Sequence, residues 1–591
     1  MRCAGRPYCA VSLLISAGLT LLVSGCRPAP TPPSADVVAK QVVTLADSMW
    51  ALQLRLQPEV ATEIGLASGD HGRLTSNRLA DIREAERQWD TLYAAVRAVD
   101  PAPLVGRREW FLHALMREQL ESDRALRPCR FELWGVASYV NGWQAQFTDL
   151  ALLQPVGTDR MRAMALARAH AIAPWLDTEI ANLREGLRLG YRSPRVIVRN
   201  VIRQVDDIAG TPTRSSPFFS PAQRDSTAAF GDSLAAIIEQ EIVPAIRRYR
   251  TFLAGDYLAA TREALGVSNN PDGAACYAAT LRSFATVAIP ADSVYAIGLA
   301  QMARIEAEMR AIAARSFGGD TLPHLMARLK TEPQFTFRTS QEIIDTANSV
   351  VARAKREMPK WFGVLPKADV VVQPYPEFRQ RAGAPGQYQS APEDGSRPAI
   401  FLINPSNPTH APRADAENTA MHEAIPGHHL QNAIASEHRD AHPLMQHSFN
   451  SGFGEGWALY AEQLGDEMGL YSSDVGRMGM LGSQAFRAAR MVIDAGIHTK
   501  GWSRDSALSY LQSHTFLAPG TAQGEIDRYI SWPGQAPSYM IGRLEILRLR
   551  EAAKAALGPR FDIRTFHDRV LENGSIPLSA LRAAIERWMS Q

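Results

Sequence analysis

Pro398-Ala399-Ile400-Phe401-Leu402-Ile403-Asn404, closed by Pro405, is the stretch that interrupts an otherwise helical sequence. A short apolar run between prolines reads as a strand. Val370-Val371-Val372, ahead of Pro374-Tyr375-Pro376, has the same character. The intervening segment from Gly383 to Gly395 is rich in turn residues, so the whole reads as a small sheet. On the C-terminal side, helix resumes by Asp415 and dominates to the end of the chain. On the N-terminal side, Val38 to Leu56, Thr75 to Val99, Arg107 to Arg127, Ala229 to Leu253 and Ala291 to Ala314 read as helices. Met161 to Leu189 reads as another, interrupted near Pro174. Its stripe of Leu176, Ile180, Leu183 and Leu187 is the pattern of core packing. No fixed-period repeat and no interdomain linker is visible. The expected fold is mostly α, a large helical body with a small β-sheet beside a cleft.

Charge excludes one class of partner. Lys plus Arg number 63 and Asp plus Glu 61. Removing the first 25 residues takes away Arg2 and Arg6 and leaves no net charge. Such a chain has no global electrostatic reason to bind nucleic acid.

The N-terminus has the layout of an export signal: two arginines, an apolar core from Val11 to Val23, then small residues. That core is too short for a comfortable membrane span. Val23-Ser24-Gly25-Cys26 resembles the bacterial lipobox, whose cysteine becomes the acylated first residue of the mature protein. Arg27 rather than Asp follows, and the resemblance favours the outer membrane. Residues 1–25 are therefore expected as signal peptide and 26–35 as a Pro-rich tether. Residues 36–591 are expected as one large helical domain, with room for two lobes at about 36–350 and 351–591. The remaining cysteines, Cys129 and Cys276, lie 147 residues apart in no motif. A disulfide and two buried thiols both remain open.

His422-Glu423-Ala424-Ile425-Pro426-Gly427-His428-His429 carries the strongest chemical signal. The ordinary zinc-hydrolase motif places two histidines four residues apart on one helix face, with Glu beside the first. Here the spacing is six or seven. A regular helix would turn His428 about 240° from His422 and would set His429 about 10 Å along the axis. Pro426-Gly427 offers a break that can swing a later histidine back. His428 is the expected ligand, with His429 as a hydrogen-bonding neighbour. Glu455 and Glu462, in Gly454-Glu455-Gly456-Trp457-Ala458-Leu459-Tyr460-Ala461-Glu462, share a helix face. A His-His-Glu set with an open water position is a standard catalytic arrangement for one Zn2+ ion. The expected ligands are His422, His428 and Glu455, with Glu462 bonded to a ligating histidine.

These motifs, continued by Asp494-Ala495-Gly496-Ile497-His498 and by Pro533-Gly534-Gln535-Ala536-Pro537-Ser538-Tyr539-Met540-Ile541-Gly542-Arg543, resemble the bacterial domain of unknown function 885 family. That resemblance implies an exported metallohydrolase or lipoprotein. It further implies a zincin-like fold distantly similar to angiotensin-converting enzyme and thimet oligopeptidase. Gly452-Phe453-Gly454-Glu455-Gly456 is similar to the context of the third ligand in the former, which points to Glu455.

The chemistry then expected is hydrolysis of short peptides or peptide-like amides, with Glu423 taking a proton from the attacking water. His498 and Tyr539 are candidate donors to the oxyanion. Arg490 and Arg543 are candidates for holding a substrate carboxylate. The strand ending at Asn404 is a candidate edge for an extended peptide. The alternatives are a zinc amidase acting on cell-wall or acyl-amino-acid substrates and a non-catalytic peptide-binding lipoprotein.

Overall fold

Val370–Pro374 (β1), Gly386–Gln389 (β2) and Ala399–Ile403 (β3) form a sheet in the order β1-β3-β2. β1 runs parallel to β3, with Val370 opposite Ala399 and Pro374 opposite Ile403. β2 runs antiparallel, with Gly386 opposite Ile403 and Gln389 opposite Ile400. Ala399, Phe401, Leu402 and Ile403 are all buried, as a central strand covered on both faces requires. The apolar run therefore marks the middle of the sheet. The expectation that its backbone edge could receive a peptide is corrected here, because both edges of β3 are already paired. Among the described residues β1 and β2 are the outer strands, and β2 lies inside the segment whose composition reads as turns.

This computed structural model describes residues 33–375, 385–391 and 397–591. The expected signal, Cys26 and the tether as far as Pro32 lie outside them. Almost everything else is helical. Asp159–Leu189 is continuous through Pro174, contrary to the expected interruption. Proline removes one N–H donor there, yet Ile172, Ala173 and Leu176 bury the same helix face on both sides of it. No helix among the described residues is long and apolar enough to cross a membrane.

Two helix pairs build the frame of the site. Ala291–Ser316 packs along Asp474–Lys500, and Ser451–Glu467 lies beside Ser538–Leu557. The second pair touches backbone to backbone, since a Cβ on Gly542 would lie 1.7 Å from the Gly452 carbonyl oxygen. A larger residue there would push the helices apart. Arg413–Glu423 crosses Ser451–Glu467, and the hydrophobic cluster around these elements runs from Val38 to Ile585.

Cys129 and Cys276 are joined in a disulfide, which resolves the alternative the sequence leaves open. It closes a loop of 147 residues, and cross-linking so long a segment restricts the unfolded chain. Replacing both cysteines with Ser is expected to destabilise the protein by about 2–5 kcal/mol. Thermal melts of the two proteins check this. An unchanged midpoint would show that the bond adds nothing to stability.

Candidate metal centre

The Arg413–Glu423 helix delivers His422 and Glu423 in its last turn. Ala424 then leaves helical geometry at φ −103°, ψ −102°, and a new helix, His428–Glu437, begins four residues later. The Ile425–Pro426 bond between them is cis. Crowding dictates Gly427: a Cβ there would stand 1.9 Å from the His422 carbonyl oxygen and 2.4 Å from that of Met421. Trp457 Nε1 donates to the Pro426 carbonyl at 3.0 Å, pinning the turn to the Ser451–Glu467 helix. The break turns His428 back toward His422, so that their rings meet edge-on with centroids 4.9 Å apart.

Glu455 completes the group. Its Oε2 lies 3.8 Å from His422 Nε2 and 3.7 Å from His428 Nε2, and ligand atoms of all three residues fall within 4.8 Å of one another. Bonds of about 2.0–2.2 Å to zinc would set tetrahedral donors roughly 3.3–3.6 Å apart, so a small inward shift suffices. On the far side of His422, Nδ1 lies 2.8 Å from Oε1 of Glu462, whose side chain is fully buried. That bond fixes the ring and leaves Nε2 facing Glu455. Burial pushes the His422 imidazole down, but Glu455 and Glu462 outweigh it and lift it to about 9. Burial pushes Glu455 up, and the two histidines bring it well below the usual carboxylate range. Two imidazoles and the Glu455 carboxylate, with Glu462 behind His422, make a donor set of the charge and type that suits a divalent cation.

Residues 58–585 match the family described as bacterial protein of unknown function, DUF885. The chain belongs to this family. The fold of this DUF885 member is similar to that of a proposed lipoprotein from Colwellia psychrerythraea, at 25% identity and a TM-score of 0.84, covering 94% of this chain and 99% of the other. It is also similar to a proposed lipoprotein of unknown function from Shewanella oneidensis, at 17% identity and a TM-score of 0.73, covering 94% of this chain and all of the other. Comparison with curated protein sequences gives no match.

Around the centre, the structure separates the residues singled out in the sequence. Glu423 Oε2 accepts from the backbone N–H of Tyr388 on β2 at 2.9 Å, which ties the carboxylate next to His422 to an outer strand of the sheet. His429 points away: its Nε2 lies 3.2 Å from the Ala368 carbonyl and its Nδ1 3.3 Å from the Tyr388 hydroxyl. Burial brings it down to about 4, a neutral ring with both nitrogens engaged. Tyr539 lies near the start of its helix. Ser451 Oγ and Ser538 Oγ are 2.7 Å apart, and Gly542 rests on Gly452 and Gly456. The two helices therefore run parallel, with Gly542 level with the turn that carries Glu455 and Tyr539 about one turn before it. Arg490 is buried, its guanidinium 4.6 Å from the centre of the Tyr539 ring.

Three expected roles are corrected. His498 is fully buried; its Nδ1 accepts from Val267 N and its Nε2 donates to the Tyr529 carbonyl, both at 3.0 Å. Burial brings it down to about 3, and neither nitrogen is left to meet an oxyanion. Arg543 is also in the core. It donates through Nη2 to Gln463 Oε1 and to Gln484 Oε1, bracing three helices instead of lining a cleft. Asn404 Oδ1 accepts from both N and Oγ of Ser406, so its side chain shapes the turn after β3. Residues missed in the sequence are Tyr388, hidden in a turn-like segment, and Arg528, which adjoins Arg490. A cavity of about 730 Å³ on the far side of these helices, lined by Trp110, Met491, Ile541 and Leu544, contains none of the metal set.

Proposed function

We propose that the protein is a zinc-dependent hydrolase of short peptides. The convergence of His422, His428 and Glu455 onto one point carries this reading, with Glu462 holding the outer nitrogen of His422. Those three residues would hold the ion. When bound, zinc would supply a Lewis acid that polarises a carbonyl and lowers the pKa of water. Glu423 lies next in sequence to His422, with Oε2 oriented by Tyr388 N; its carboxylate accepts the proton of the attacking water and passes it to the leaving nitrogen. Tyr539 is our candidate donor to the developing oxyanion. β2 favours a peptide over other amides. Since Tyr388 N–H points away from β3, so do the other backbone groups of Tyr388 and those of Gly386, and an extended chain can pair with them.

Profiling a mixed peptide library with the mature protein, with and without a chelator, tests the reading. Cleavage that stops on chelation and returns with zinc is expected. Absence of any zinc-dependent cleavage would refute it.

The lipobox at residues 23–26 and the lipoprotein description of the Colwellia protein support anchoring through Cys26 at the periplasmic face of a membrane, by our reading the outer one. A disulfide fits an oxidising compartment. Cys26→Ser is expected to release the protein into the soluble fraction, because acyl chains supply the anchoring. Detergent-requiring membrane association of that variant would overturn the assignment.

A further inference from the structure

Behind Tyr539 lies a buried cluster that the hydrolytic mechanism does not use. Arg490 and Arg528 are 4% and 7% exposed. Glu525 lies between them, 2.9 Å from Arg490 Nη2 and 3.3 Å from Arg528 Nη1. Burial pushes Glu525 up, and the two guanidiniums bring it down to about 2, so it is charged. Two cations thus share one anion in the interior, which is costly unless a further anion joins them. The remaining direct contacts are neutral, and the Asp494 carboxyl, which also acts on Arg528, is pushed up by burial to about 7. Arg490 Nε donates to the Tyr529 hydroxyl at 3.1 Å, and its guanidinium lies between the Phe486 and Tyr539 rings, 4.1 and 4.6 Å from their centres. Arg528 donates to Gln535 Oε1 and lies 3.5 Å from the Tyr539 hydroxyl. Arg490 Nη1 is buried with no hydrogen-bond partner.

The cluster adjoins the helix that carries Glu455 through Tyr539, whose own helix packs along it. It does so again through Arg487, which faces the Tyr539 ring at 5.7 Å and acts electrostatically on Glu462. An unpartnered guanidinium edge, with surplus positive charge, stands beside a hydrolytic centre.

We infer that Arg490, assisted by Arg528, receives the free C-terminal carboxylate of the substrate, so that the enzyme cuts near carboxyl termini. This rests on the peptide-hydrolase reading and adds to it the end of the chain that is recognised. A carboxylate bound at Nη1 and the second Nη2 hydrogen would form the paired geometry that guanidinium favours. It would also supply the missing anion. Phe486, which is only partly buried, stacks 4.1 Å from the guanidinium and would shift as the chain enters.

Three peptides separate the outcomes: one with a free C-terminal carboxylate, the same sequence amidated, and an amidated form with its last residue replaced by Glu. Each is measured for cleavage by the zinc-loaded protein and, by calorimetry, for binding to Glu423→Gln. The free acid is expected to exceed both amides by about a hundredfold or more in kcat/KM, since a site built for a polar group rejects analogues lacking it. Arg490→Gln is expected to reduce that ratio to near one. Because a ratio is read, partial loss of folded protein does not mimic the effect. Equal cleavage and binding of acid and amide would overturn the carboxylate inference and leave the hydrolase reading intact. If the Glu-terminated amide matches the free acid, the site reads any carboxylate, and the terminal assignment falls. Carboxylate-selective binding without cleavage of any peptide would uphold the anion site and remove the hydrolase. Neither binding nor cleavage would remove both.

Discussion

Glu423→Gln is expected to keep its metal and lose at least about a hundredfold in kcat, the lower end of what a general base contributes. A hundredfold corresponds to about 2.7 kcal/mol in the barrier. Gln has nearly the volume of Glu and can still accept from Tyr388 N through its carbonyl oxygen, so the 2.9 Å contact that orients the side chain survives. What disappears is a carboxylate able to hold a proton between the attack on the carbonyl and the departure of the amine. His422, His428 and Glu455 are untouched, as is the bond from Glu462 to His422. Zinc content should therefore match that of the unmodified protein. KM should change little, because in this proposal β2 and Arg490 would provide the contacts to the ground state. The measurement is zinc content beside kcat and KM on one peptide. Near-normal turnover would refute the proposed role of Glu423, whichever residues hold the ion.

Legibility of this protein in its sequence followed the range of the interactions involved. The long helices were readable because their apolar stripes repeat locally. Pro426-Gly427 announced the break in the His422 segment, since neither residue suits a helix interior. Its cause, the 1.9 Å approach of a would-be Cβ to the His422 carbonyl, was visible only in three dimensions. β2 was missed because Gly-Gln-Tyr-Gln holds a single apolar-bodied residue and lies among turn formers. Pairing with β3 makes it a strand, and that pairing is non-local. His498 and Arg543 misled for a related reason. An imidazole and a guanidinium are side chains suited to an oxyanion and a carboxylate, yet the partners that occupy them, Val267 N, the Tyr529 carbonyl, Gln463 and Gln484, come from distant parts of the chain. Hydrogen bonds to the backbone leave no mark in composition. The sequence assigns Arg528 no role, since its significance depends on Arg490, 38 positions earlier.

The sharpest contrast should lie between two adjacent histidines. His428→Ala removes one of three proposed ligands, and the other two, His422 and Glu455, would be left with a site open on one side. Zinc stoichiometry after dialysis is expected to fall from about one per chain to near zero, and activity with it, because a catalytic zinc site relies on three protein ligands. His422→Ala and Glu455→Ala should behave alike. His429→Ala should retain most of its zinc. Both ring nitrogens of His429 face elsewhere, toward the Ala368 carbonyl and the Tyr388 hydroxyl, and burial holds the ring neutral at about 4. Its loss should instead loosen β2 against the His428–Glu437 helix, raising KM for peptides that pair with that strand. Glu462→Gln falls between the two, since partners of a ligating histidine typically contribute 10–100-fold in metal affinity. Zinc content, measured for all five variants under one dialysis regime, ranks them. Full zinc in His428→Ala together with loss in His429→Ala would mean that the turn at Pro426-Gly427 rearranges on metal binding, and the ligand set would have to be redrawn around His429.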